Sequence, residues 1–147
     1  MVDLKRQSEL REAIELLYFA YRAFTARADH ILEHHGLGRA HHRILYFVGR
    51  HPDMAIHTLL DTLKISKQAL NAPLRRLVAE GLVSVETATH DHRTKLLRLT
   101  KTGHALESQL TTSQTEQLAE VFSKVGRDAE KDWRQVMARL ADSTKTL

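Results

Sequence analysis

The chain has 147 residues, enough for one domain, with 42% apolar residues to build a core and 27% charged residues to keep it in water. It contains no cysteine, which excludes disulfides, thiolate metal sites and thiol redox chemistry. The net charge is +4, and there is neither a leader-like apolar segment nor an apolar run of membrane length, so a cytoplasmic protein without membrane contact is expected.

In chain order, Leu10, Ile14, Leu17, Tyr18, Tyr21, Phe24, Ala28, Ile31 and Leu32 recur in steps of three and four, predicting one long helix from Leu4 to about His35. Gly36 and Gly38 stop it. A second helix is expected over 40–50, with Ile44, Leu45, Phe47 and Val48 inward, and a short third over about 57–63, packing Leu59, Leu60 and Leu63. Ser66 is a natural cap for a fourth helix over about 67–80, with Leu70, Leu74, Leu77 and Val78 on its buried side and Gly81 at its end. Pro73 falls inside it and removes one helical hydrogen bond. A start at Asn71 is the alternative, but the apolar spacing favours one helix with a distorted middle. Residues 82–88 and 95–100 alternate as two antiparallel strands around a polar loop at 89–94. Thr100 then caps a fifth helix to about Val125, and a last helix carries Ala129, Trp133, Val136, Met137 and Leu140. The fold class is therefore mostly α (α+β): a winged helix-turn-helix with long terminal helices.

The charge is not spread evenly. Between Lys64 and Lys101 eight basic residues meet three acidic ones, whereas the other 14 basic and 15 acidic residues nearly cancel. A near-neutral body with one basic module is the electrostatic footprint of a duplex-binding protein. The first turns of the fourth helix offer Lys67, Gln68, Asn71 and Ala72 to base edges, with Ser66 near the phosphates. Gln and Asn amides donate and accept together, which suits adenine in the major groove. Arg75 lies one turn beyond Asn71, in reach of a guanine or a phosphate; Arg76 is about 100° round and is placed for backbone contact. On the wing, Asp91 and Arg93 are two residues apart, so the carboxylate is expected to hold the guanidinium fork by paired hydrogen bonds. An arginine fixed at a hairpin tip suits the narrow minor groove, with His90, His92 and Lys95 adding charge around it. Apolar stripes left over on the first, fifth and sixth helices are most cheaply covered by a second copy, so a homodimer is expected.

The run from Leu59 to Asn71, then Leu77 to Val83, Asp91 to Lys95 and Leu99 to Gly103 closely resembles the MarR family of bacterial regulators, over roughly residues 37 to 106. That resemblance implies one domain over 1–147, in which 1–35 and 101–147 are dimerisation helices and 39–100 the DNA-binding lobe. It also implies a pseudo-palindromic operator, silenced by the dimer and released when a small aromatic or anionic effector binds. By position, Ser66, Gln68, Asn71, Asp91 and Arg93 match the family's DNA-contacting sites. Two features depart from its pattern: Lys64 stands at a turn position often held by glycine, and Pro73 interrupts the recognition helix.

Ten histidines are many for this length. His30 and His34 share a helix face, but no third ligand has metal-site spacing, so no metal and no cofactor are expected. His34 and His41 are the candidates for lining an effector cleft. No phosphate-binding loop and no nucleophile–base arrangement point to an enzyme. A metal-responsive regulator and an architectural DNA-binding protein without an effector are the other readings.

Overall fold

The structure, a computed structural model, describes residues 3–146. The elements are α1 (Leu4–His34), α2 (Arg39–Arg50), β1 (Met54–Ala55), α3 (Ile56–Leu63), α4 (Lys67–Ala79), β2 (Val83–Thr87), β3 (Lys95–Leu99), α5 (Lys101–Val125) and α6 (Arg127–Asp142), followed by a 3-10 turn over Ser143–Thr146. They divide into two units, one up to Ser113 and one from Gln114 onward. Among the described residues, no helix is long and apolar enough to cross a membrane.

The first unit is a winged helix. Leu32, Ile44, Leu45, Leu59, Leu70, Leu77, Leu97 and Leu110 are all completely enclosed, drawing α1, α2, α3, α4, β3 and α5 onto one core. Each such leucine contributes about 1.5–3 kcal/mol relative to exposure. The sheet has three strands in the order β1-β3-β2, not the two that the sequence pattern predicts. Met54 and Ala55 pair with Leu97 and Leu96, a strand of two residues that is too short to generate an alternating signal. On the other side of β3 the pairing runs from Val83↔Leu99 to Thr87↔Lys95. Leu97 and Leu99 point into the core, leaving Arg98 on the outer face.

One expectation about burial needs correction. Val78 is 39% exposed, because the enclosed side of α4 is the row Leu70, Leu74 and Leu77, and Val78 lies about 100° round from Leu77. On α1 only Thr25, Ala28 and Leu32 are buried. Leu10, Ile14, Leu17, Tyr18 and Tyr21, which continue the same stripe, stay exposed within the chain. So do Leu16 and Phe19, which lie about 130° and 170° round from that stripe. Leu16 and Phe19 share that side with Glu9, Glu12 and Glu15, so the apolar stripe of α1 faces one way.

In the second unit Gly126, at φ 92°, turns the end of α5 into α6. The Phe122 and Trp133 rings meet with centroids 5.3 Å apart, and the Arg134 guanidinium lies over Phe122. No residue of α6 is buried, and Trp133, Val136 and Leu140 are exposed.

A tight junction joins α4, the sheet and α5. Gly81, at φ 72°, lets the Leu82 amide turn back to the Leu77 carbonyl, ending α4 and starting β2. The Thr100 hydroxyl donates to the Gly81 carbonyl and accepts from the Gly103 amide, so one side chain closes α4 and caps α5. Gly103 rests against the Leu82 backbone so closely that an added Cβ would lie 2.0 Å from the Leu82 carbonyl oxygen. Gly103→Ala should therefore destabilise the fold. The helix-propensity gain of about 1 kcal/mol is outweighed by an overpacking cost of about 1–3 kcal/mol that rigid backbone cannot relieve. A lowered thermal midpoint checks this.

Candidate nucleic-acid interface

The Ser66 hydroxyl accepts from the Ala69 amide at 3.1 Å, fixing the start of α4 as a helix cap should. The helix runs unbroken from Lys67 to Ala79 with Pro73 inside it, so the alternative start at Asn71 is excluded. Its apolar row is held by the core, which leaves Lys67, Gln68, Asn71, Ala72 and Arg75 exposed. Among the described residues, the side chains of Lys67, Gln68, Asn71 and Arg75 make no hydrogen bond or ion pair. Arg76 differs: its Nε donates to Glu80 Oε1 at 2.6 Å, one turn along the helix.

The wing departs from its expected geometry. Asp91 does not grip the Arg93 fork. Its Oδ1 accepts from the Arg93 backbone amide at 2.9 Å and its Oδ2 from the Thr94 hydroxyl at 3.2 Å, while the Thr94 amide donates to the Asp91 carbonyl. Asp91 therefore builds the turn itself, as Asp side chains commonly do where the chain reverses. The Arg93 guanidinium comes only to 3.6 Å of the carboxylate, through Nε, and its side chain is 94% exposed. The reason is local: residues 91–94 form a turn, not the extended strand in which i and i+2 share a side. Lys95 Nζ donates to the Thr87 hydroxyl across the hairpin at 2.8 Å.

One pair was invisible in the sequence. Arg98 on β3 donates from Nε and Nη2 to both oxygens of Asp53, with contacts of 2.7–3.0 Å, across 45 residues. The pair binds the base of the wing to the turn before β1 and raises the Arg98 pKa further, through that hydrogen bond first. Arg76 and Arg98 thus have carboxylate partners, so less of the local positive charge is free than a sequence count implies. No local spacing signals such a contact, because pairs distant in the chain carry no periodicity.

His34 and His41 lie in different settings. His34 is exposed, with its ring edge-on to His30 at 4.9 Å. His41 is half-buried, and its Nδ1 accepts from the Gly38 amide at 3.0 Å, closing the entry to α2. Burial, and then the Arg76 charge, lower its pKa, so the neutral ring is favoured. Beside them a network that sequence reasoning missed joins α1 and α2. Arg39 Nη2 donates to Asp29 at 2.9 Å and to the buried Thr25 hydroxyl at 3.2 Å, and its guanidinium covers the Tyr21 ring. Among the described residues, no group of three or more His, Asp or Glu side chains is arranged to hold a metal ion.

A recognition helix with a free polar N-terminal face, next to a hairpin tipped by an exposed arginine, defines a winged-helix DNA-binding protein. A family model described as the MarR family matches residues 35–94. The HTH-type transcriptional regulator PetP of Rhodobacter capsulatus is 40% identical over 134 residues, covering 91% of this chain and 81% of PetP. The chain belongs to the MarR family of transcriptional regulators. Among solved structures, Staphylococcus aureus MarR in complex with salicylate and kanamycin matches with a TM-score of 0.78 at 22% identity, over 99% of each chain. An S. aureus MepR mutant bound to an oligodeoxyribonucleotide matches at 0.61 and 16% identity, over 90% of this chain and 97% of that one. These two likenesses establish the shared fold.

The hydrogen bonds that Asp91 accepts from the Arg93 amide and the Thr94 hydroxyl hold its carboxyl below the usual range. A depressed carboxyl stabilises the turn above its unfolded-state pKa, and that contribution is lost as pH falls through the folded-state value. The Arg93 amide resonance should keep its wing position through neutral and mildly acidic pH. It should shift only below the ordinary carboxylate range, as a proton NMR titration would show.

Proposed function

We propose that two copies of the chain bind the half-sites of a pseudo-palindromic duplex operator and repress transcription until a small molecule releases them. The observation that carries this reading is the unpartnered row Lys67, Gln68, Asn71 and Arg75 on α4, beside an Arg93 with 94% of its side chain in solvent. Intramolecular structure uses none of these four side chains and touches Arg93 only weakly, so their chemistry remains available to DNA. In this reading Gln68 and Asn71 read base edges in the major groove. Ser66, Lys67, Arg75, Arg76 and Lys95 face phosphates, and Arg93 enters the minor groove from a turn that Asp91 shapes.

The dimer reading rests on α1. The stripe of Leu10, Ile14, Leu17, Tyr18 and Tyr21 that its N-terminal half leaves exposed needs cover, and a second copy supplies it symmetrically. Residues 1–35 and 101–147 then form the dimerising helices and 39–100 the DNA-binding lobe, within one functional domain.

For the effector, salicylate bound to S. aureus MarR motivates an aromatic anion. The proposed seat is the α1–α2 corner that carries His34 and His41. With Nδ1 of the neutral His41 ring accepting from Gly38, its proton resides on Nε2, which becomes a donor for a carboxylate.

Asn71→Ala should lower discrimination between operator variants by about 1–3 kcal/mol while changing nonspecific binding little, and Arg93→Ala should weaken operator binding several-fold without altering the fold. Fluorescence anisotropy on duplexes recovered by selection from a random pool tests both. Equal affinity of the variants and the wild type would refute the reading. Sedimentation equilibrium at micromolar concentration should give twice the mass of one chain.

A further inference from the structure

Among the described residues two that are not glycine hold a left-handed backbone, Asp53 at φ 64° and Lys64 at φ 56°. For any residue with a Cβ this conformation is costly, because the Cβ crowds the following carbonyl. Asp53 has an intramolecular use for it, since its carboxylate takes the Arg98 guanidinium from that turn. Lys64 has none. It is the C-cap of α3, and its amide donates to the Leu60 carbonyl at 2.9 Å, a bond that glycine would make equally well without the steric cost. The side chain is exposed and, among the described residues, makes no hydrogen bond or ion pair. Yet the residue occupies the corner of the helix-turn-helix, two positions before the Ser66 cap of α4. Strained positions held without internal benefit concentrate at functional surfaces.

We propose that Lys64 is a further phosphate-binding residue of the DNA interface, its ammonium flanking the N-terminus of α4 where the duplex backbone passes. The inference rests on α4 being the DNA-reading helix. A lysine at this place acts as a mobile point charge and carries no base preference, so it strengthens binding to every sequence alike. The competing explanation is a cation serving the α3 carbonyl end, whose last turn holds no basic residue. The two differ in what the ammonium stabilises, bound DNA or the free protein.

The test uses the full chain, a short mixed-sequence duplex and fluorescence anisotropy between about 50 and 200 mM salt, with thermal unfolding of each protein alongside. Lys64→Asn keeps a residue that tolerates the left-handed backbone and removes the charge. It should lose affinity several-fold at low salt on any sequence, and its plot of log affinity against log salt should flatten by about 0.9 for each lysine removed. Its unfolding midpoint should not fall. Lys64→Arg should retain the wild-type slope. Unchanged affinity and slope in Lys64→Asn would overturn the proposal, as would a lowered midpoint with binding intact, which assigns the charge to α3. If the wild-type protein itself shows no salt-dependent duplex binding, the reading of α4 fails first and takes this inference with it.

Discussion

The recognition module depends on the seam where Gly81 and Leu82 meet Thr100 and Gly103. One hydroxyl bonds the carbonyl at the end of α4 and the amide that opens α5, and the missing Cβ of Gly103 lets the two backbones touch. The Thr100 amide adds a bond to the Leu82 carbonyl at 3.1 Å. Through this seam the end of α4, the first long strand of the wing and the start of α5 form one stiff piece. Any shift of α5 at Gly103 must move α4 and β2 together, because packed backbone does not deform continuously. The seam therefore couples the start of α5 to the end of α4 and to the wing.

The charges sort by whether the fold consumes them. Arg76 and Arg98 are paired with Glu80 and Asp53, and such half-exposed pairs are worth no more than about 1 kcal/mol each in stability. Their larger effect is positional: the Arg98 pair fastens the base of the wing, and the Arg76 pair holds a guanidinium along α4 beside His41. Lys67 and Arg75 are left free, and Arg93 nearly so, at the start of the helix, about two turns along it and at the hairpin tip. A basic module is thus built from fastened and unfastened cations, and the second kind reaches a polyanion without first giving up a partner in the fold.

Much of the architecture was legible because it follows from short-range rules. Helical spacing located α1 to α6 to within a few residues, and the Ser66 and Thr100 caps are where hydroxyl residues precede apolar runs. What the sequence hid was of two kinds. Strand β1 is too short for a pattern, and Asp53 with Arg98, or Arg39 with Asp29, are contacts between distant segments. The Asp91 turn was misread for a different reason: the i, i+2 rule holds in extended chain, whereas Asp91 itself bends the loop by accepting from the Arg93 amide. Val78 stayed outside because its stripe neighbour Leu77 already fills the enclosed side. Of the candidate site residues, position along α4 was readable from the cap, but the partnering of Arg76 needed coordinates.

The exposed apolar stripe of α1 also bears on whether copies of the chain clump. Leu10, Ile14, Leu17, Tyr18 and Tyr21 all stay exposed along it. Apolar surface of this kind promotes aggregation when it is left uncovered. Arg6, Glu9, Arg11, Glu12 and Glu15 interleave the same segment with both signs of charge, a gatekeeper pattern that opposes such clumping.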